Sequence, residues 1–121
     1  MVTPRDFGSP AGGAYSTAAD LLAFAAALRA NKLVSHRMFE ELIAPHSPFP
    51  TDRGTPYGYG FETSESRRGR RVVGHGGSTA GTNCEFDLYV EQGYTVIVLS
   101  NLDSDSAKLI AAKLRTMILA N

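Results

Sequence analysis

The chain reads as an α+β domain: an antiparallel meander of about four strands, with two N-terminal helices and a C-terminal helix packed on the sheet. Three observations predict this. Apolar residues at helical spacing occur only near the two ends of the chain, and period-two alternation occurs only between them. The strand-like segments are therefore grouped apart from the helices, the arrangement of α+β rather than of alternating α/β folds. The chain has 121 residues, 43% hydrophobic and 20% charged. That suits one ordinary core and excludes a disordered, collagen-like or coiled-coil chain.

Residues 1–16 carry Gly8, Pro10, Gly12 and Gly13 and read as loop. Thr17 and Asp20 have capping-box spacing. Leu21, Phe24, Ala25 and Leu28 follow at helical spacing, so a helix is expected from Thr17 to about Arg29, with Asn31 as its stop. A shorter helix is expected after Ser35, with Met38, Leu42 and Ile43 inward, and Pro45 ends it. Pro45, Pro48, Pro50, Gly54 and Pro56 make an extended loop.

Tyr57-Gly58-Tyr59-Gly60-Phe61 alternates aromatic residues with glycine and reads as a strand with one packed face. The same three rings could instead line a substrate groove. Ser66 to Gly69 make a turn, and Arg71 to His75 form the next strand. Cys84, Phe86, Leu88 and Val90 alternate with Asn83, Glu85, Asp87 and Tyr89, so a half-buried strand follows. Cys84 falls on its inward side and reads as a small buried hydrophobe. Glu91-Gln92-Gly93 is a short hairpin connection. Tyr94 to Asn101 is the last strand, apolar on both faces through Val96-Ile97-Val98-Leu99. Ser104 or Asp103 can cap a final helix with Ile110, Leu114, Met117 and Ile118 inward.

In this order the last strand lies at the edge of the meander. Proteins normally cover long apolar edges. The terminal helix or a loop would do so, or a further strand would come from an N-terminal segment or from a second copy, giving a homodimer through a sheet edge.

Twelve Lys and Arg balance twelve Asp and Glu, so no overall field steers the chain to nucleic acid. Arg67, Arg68, Arg70 and Arg71 cluster at an expected turn with no aromatic platform, the pattern of a solvated turn. His36 and Glu40 stand four apart on a helix with no third ligand nearby in sequence. They read as a surface pair, and no metal or other cofactor is expected. His46, in the proline-rich loop, carries no argument. No apolar run is long enough to span a bilayer. The one cysteine excludes an internal disulfide and leaves the compartment open. Met1 to Asp6 contain no apolar targeting core, which also follows if the chain starts inside a longer protein.

Gly74-His75-Gly76-Gly77-Ser78-Thr79-Ala80-Gly81 is the stretch richest in chemistry. Glycines admit close approach of another backbone or a substrate, and a histidine can shuttle a proton near neutral pH. Alone, the triplet is also compatible with a glycine-rich turn or bulge. An α/β-hydrolase oxyanion segment of this type requires a G-x-S-x-G elbow, which the chain lacks.

Taken in order, several segments resemble the C-terminal part of the serine β-lactamase and penicillin-binding-protein superfamily. They are Gly12-Gly13-Ala14-Tyr15-Ser16-Thr17-Ala18-Ala19-Asp20-Leu21, Tyr57-Gly58-Tyr59-Gly60-Phe61, the His-Gly-Gly stretch and Val96-Ile97-Val98-Leu99-Ser100-Asn101. The resemblance is to the class C-like branch, with its esterases and D-amino-acid peptidases, and runs from about Gly8 to Leu119. It implies acyl transfer through a serine in S-x-x-K, with the lysine and a Y-x-N tyrosine handling the proton. His75-Gly76-Gly77 matches the third motif of that family. The resemblance then assigns His75 to proton transfer and substrate carboxylate, the Ser78 backbone N–H to the oxyanion, and Gly76 and Gly77 to the substrate path.

The chain itself contains no S-x-x-K, Y-x-N or S-x-N; Ser104-Asp105-Ser106 is only near the last in form. In the family those motifs precede the region matched here. Residues 1–121 are thus expected to be a single domain, the C-terminal segment of a longer serine hydrolase, inactive alone. Its partner would be the N-terminal half, and its substrate a small-molecule or peptide amide, lactam or ester. The competing expectation is a non-enzymatic module that binds a peptide or protein through an open sheet edge.

Overall fold

The computed structural model describes residues 12–47, 54–102 and 105–120. Helix α1 spans Ala18–Arg29. Thr17 is its N-cap: the hydroxyl accepts from the Asp20 N–H at 3.1 Å and donates to the Asp20 carboxylate at 2.9 Å. Asn31, with φ of 56°, turns the chain out of the helix. Helix α2 spans His36–Ile43 and is capped by Ser35, which accepts from the Met38 N–H. Its buried residues are Phe39 and Ile43, whereas Met38 is half exposed. The inward face is thus rotated by about one residue from the expected Met38, Leu42 and Ile43, because the bulkiest ring takes the core position.

The aromatic–glycine segment 57–61 is not a strand. Tyr57 makes one isolated bridge to Glu62, and strand β1 is Glu62–Glu65. The reason lies in the glycines. Gly60 has φ of 84° and turns the chain, and Gly58 donates to Phe61 O at 2.8 Å. A side chain at Gly58 would strike the Leu42 carbonyl, 2.3 Å from an ideal Cβ. The backbone there packs on the end of α2, where Tyr59 N donates to Leu42 O.

Strand β2 is Arg71–Thr79, β3 is Thr82–Tyr89 and β4 is Thr95–Ser100, in the antiparallel order β1-β2-β3-β4. β2 runs four residues beyond the expected His75, so the His-Gly-Gly triplet lies within a strand. The β2–β3 turn is Ala80-Gly81, with Gly81 at φ of 81°. Helix α3 spans Ser106–Ala120. The expected caps Asp103 and Ser104 lie outside the described residues.

Helices cover the sheet on both sides. Ala25, Leu28, Phe39, Ile43, Val73 and Leu88 form one core between the sheet and α1–α2. Val72, Tyr89, Val96 and Ala111 form another beneath α3. Neighbours such as Val72 and Val73 thus serve opposite faces, as the pleat requires. Ala107 and Ala111 are the buried residues of α3, with Ile118 partly buried. The expected Ile110, Leu114 and Met117 are exposed, because small residues let the helix approach the sheet closely.

Asn83 also departs from its outward reading. It is buried: its amide Nδ2 donates to Leu102 O at 2.6 Å, and its Oδ1 accepts from Ala107 N at 2.7 Å. It thereby ties the start of α3 to β3. Of the four clustered arginines, Arg67 and Arg68 are exposed as expected. Arg70 donates to Leu119 O, and Arg71 pairs with Glu40 at 2.6 Å and Glu91 at 2.8 Å. Glu40 therefore answers Arg71 in a cross-element network.

Candidate functional site

Strand β2 outruns β1. Their register ends at Glu62 opposite Gly74, while β2 continues against β3 to Thr79 opposite Thr82. From His75 to Thr79, β2 has no strand partner on its outer side among the described residues. Val90 N donates to Arg71 O, so the Arg71 backbone faces β3. The register is unbroken from there to Thr79. Antiparallel alternation then turns the backbone N–H and C=O of Gly76 and Ser78 toward the open edge.

His75 is exposed and shares a face with Val73 and Gly77, the face toward α1. Its Nδ1 lies 2.6 Å from Gly76 O. A carbonyl oxygen only accepts, so Nδ1 carries the proton and Nε2 is the remaining nitrogen. The Tyr57 ring stands edge-on to the imidazole, with centroids 5.7 Å apart and planes at 84°. The three rings of the 57–61 segment do not share a face. Tyr59 instead stacks on His46 at 4.2 Å, and Phe61 packs on the α1–α2 core.

The glycines of β2 differ in kind. An ideal Cβ on Gly74 would lie 1.9 Å from Phe86 O and 2.8 Å from the Asp87 carboxylate, so the sheet requires glycine there. One on Gly77 would meet only the Cys84 thiol, at 3.5 Å, an ordinary contact. The fold therefore does not dictate Gly77. Cys84 sits opposite Gly77 on the same face, and it is exposed rather than buried. The α1–α2 layer reaches Phe86, which meets Phe24 of α1 with centroids 6.1 Å apart, and does not extend over Cys84. Period two located the correct face of the strand but not where its cover ends.

A cleft of about 210 Å³ lies between α3 and the sheet, with Glu62, Glu85, Asp87, Lys108 and Arg115 in its walls. Arg115 crosses it to donate to the Ser64 hydroxyl at 2.6 Å. Its lining also includes Gly74, His75 and Gly76, so the cleft reaches the His-Gly-Gly stretch of β2. Among the described residues no group of His, Cys, Asp and Glu is arranged to hold a metal ion. No described helix is long and apolar enough to cross a membrane.

A four-stranded antiparallel sheet between helices, carrying His-Gly-Gly on β2, is the arrangement expected from the resemblance, and the comparisons with known proteins show the class: the serine β-lactamase and penicillin-binding-protein-like superfamily. The family model for Beta-lactamase matches residues 1–118, and the chain belongs to that family, which is of serine-hydrolase type. A solved penicillin binding protein from Bacillus halodurans is similar with a TM-score of 0.76 and 26% sequence identity. The match covers 90% of this chain and 33% of that one, so the chain spans about a third of that protein's length. A search of curated proteins gave no match.

Proposed function

We propose that this chain is the C-terminal segment of a serine hydrolase that transfers an acyl group from an amide, lactam or ester to water. The observation that carries the reading is the His-Gly-Gly stretch on the open edge of β2, with a Gly77 that packing does not require. The attacking serine, its lysine and the proton-handling tyrosine belong to an N-terminal half, the partner of this chain.

The substrate lies along residues 75–79, passing over Gly76 and Gly77. As the serine oxygen bonds to the acyl carbon, negative charge gathers on the carbonyl oxygen, and the Ser78 N–H donates to it. A preorganised donor of this kind is worth about 3–4 kcal/mol of barrier. His75, through Nε2, supports proton movement to the leaving group or holds a substrate carboxylate. Water then releases the acid and frees the serine. No step needs a metal or cofactor from this chain. Without the nucleophile, the oxyanion donor and histidine perform no acyl transfer, so the chain alone is inactive.

The same open edges would serve a non-enzymatic module that adds a peptide strand. Reading the coding frame upstream of Met1 separates the two. S-x-x-K followed by Y-x-N upholds the hydrolase; a stop codon directly before Met1 favours the binding module.

A further inference from the structure

An exposed histidine at a strand end ordinarily samples several ring orientations, and either nitrogen can carry the proton of its neutral form. His75 is constrained from two sides. Its Nδ1–H is engaged by Gly76 O at 2.6 Å, and the Tyr57 ring meets it at 84°. Tyr57 is itself anchored through its backbone. Its carbonyl accepts from His46 N at 2.9 Å and Ser47 N at 3.1 Å, and it bridges to Glu62 at the start of β1. The neighbouring Thr63 N donates to Pro56 O at 2.9 Å, and the Thr63 hydroxyl donates to Ile43 O at 2.6 Å. The Tyr57 ring is thus carried by a segment fastened both to the end of α2 and to the sheet.

We infer that Tyr57 is a positioning residue for His75: its ring holds the imidazole in the orientation that keeps Nδ1–H on Gly76 O and presents Nε2 alone to the open edge of β2. This rests on the reading of His75 as a site residue, since only there does a fixed Nε2 have a use. The contact uses the ring and not the phenol hydroxyl. Phenylalanine therefore substitutes for Tyr57, whereas an aliphatic residue of similar bulk does not. An aromatic pair of this geometry favours the held orientation by about 2- to 12-fold over a free ring.

The test is side-chain NMR on the 121-residue chain, with the imidazoles neutral. Long-range ¹⁵N–¹H correlation reports which nitrogen of His75 is protonated, and ring ¹³C relaxation reports its mobility against exposed His36. The expected wild-type result is a predominantly Nδ1–H form, a cross-relaxation peak between the rings of Tyr57 and His75, and a ring less mobile than that of His36. Tyr57→Phe keeps all three. Tyr57→Leu raises the ratio of the Nε2–H to the Nδ1–H form by about 2- to 12-fold, with the Val73 and Leu88 amide signals unmoved. An unchanged ratio in Tyr57→Leu overturns the inference. So does a wild-type His75 ring as mobile as that of His36, a result that needs no variant to fold. Neither readout depends on hydrolysis, so failure of the hydrolase reading would leave this result standing, and the reverse.

Discussion

Gly74 and Gly77 lie three residues apart on β2, yet a methyl group has very different consequences at each. At Gly74 it would collide with the Phe86 carbonyl, and Gly74→Ala should lower stability by about 3 kcal/mol, read from denaturant midpoints. At Gly77 the space is open, and Gly77→Ala should leave stability unchanged or raise it by up to about 1 kcal/mol. A matched loss at both positions would refute the assignment of Gly77 to something other than packing. Arg71 gives a second residue-scale prediction. Burial alone would raise the Glu91 pKa, but the Arg71 side-chain and backbone hydrogen bonds outweigh it and hold the carboxyl below its usual range. A depressed folded-state pKa contributes stability that is fully present above the unfolded value, near 4.3, and is lost as pH falls through the folded value. Arg71→Met should therefore lower stability by about 1–2 kcal/mol at neutral pH, since both ion pairs are partly exposed, and should flatten its decline below pH of about 4. Thermal unfolding across that range checks both. At this scale the sequence singled out the stretch from Gly74 to Gly81, and the structure places Gly74 to Thr79 in β2. The sequence did not disclose Tyr57 as a neighbour of His75 or Asn83 as a buried tie, because both depend on contacts between segments distant in sequence.

Elements were more legible, for local physical reasons. Thr17 and Asp20 mark the start of α1 because a cap is a contact within four residues. Thr17→Ala should lower stability by about 1 kcal/mol without altering the sheet, as circular dichroism melts would report. A loss below measurement would mean that the N-terminus of α1 is held by its packing alone. The four strands were legible in number and order. The first was expected five residues early, because alternating aromatics and glycines mimic a strand's period while Gly60 bends the chain. Helix faces were read least well. In α3 the largest apolar residues were expected inward, yet Ala107 and Ala111 face the sheet and Ile110, Leu114 and Met117 face outward. Size-weighted periodicity does not register that a helix can be seated by its small residues. β4 is the edge strand, as expected, with helices against its faces and no strand beyond it among the described residues.

For the whole molecule, the proposed function makes the sheet and its helices one side of a reaction cleft; among the described residues β2 has no outer strand partner at His75–Thr79, and Cys84 and Leu99 are exposed on the adjoining surface. The family was legible in the sequence because its segments are ordered along this chain. The proposed role of those segments depends on a serine that this chain's motifs do not supply. The most direct measurement is hydrolysis of nitrocefin and a p-nitrophenyl ester by the purified 121-residue chain, beside its His75→Ala variant. Neither protein should turn over either substrate above the buffer rate. Saturable turnover that is indifferent to the loss of His75 would contradict the proposed function.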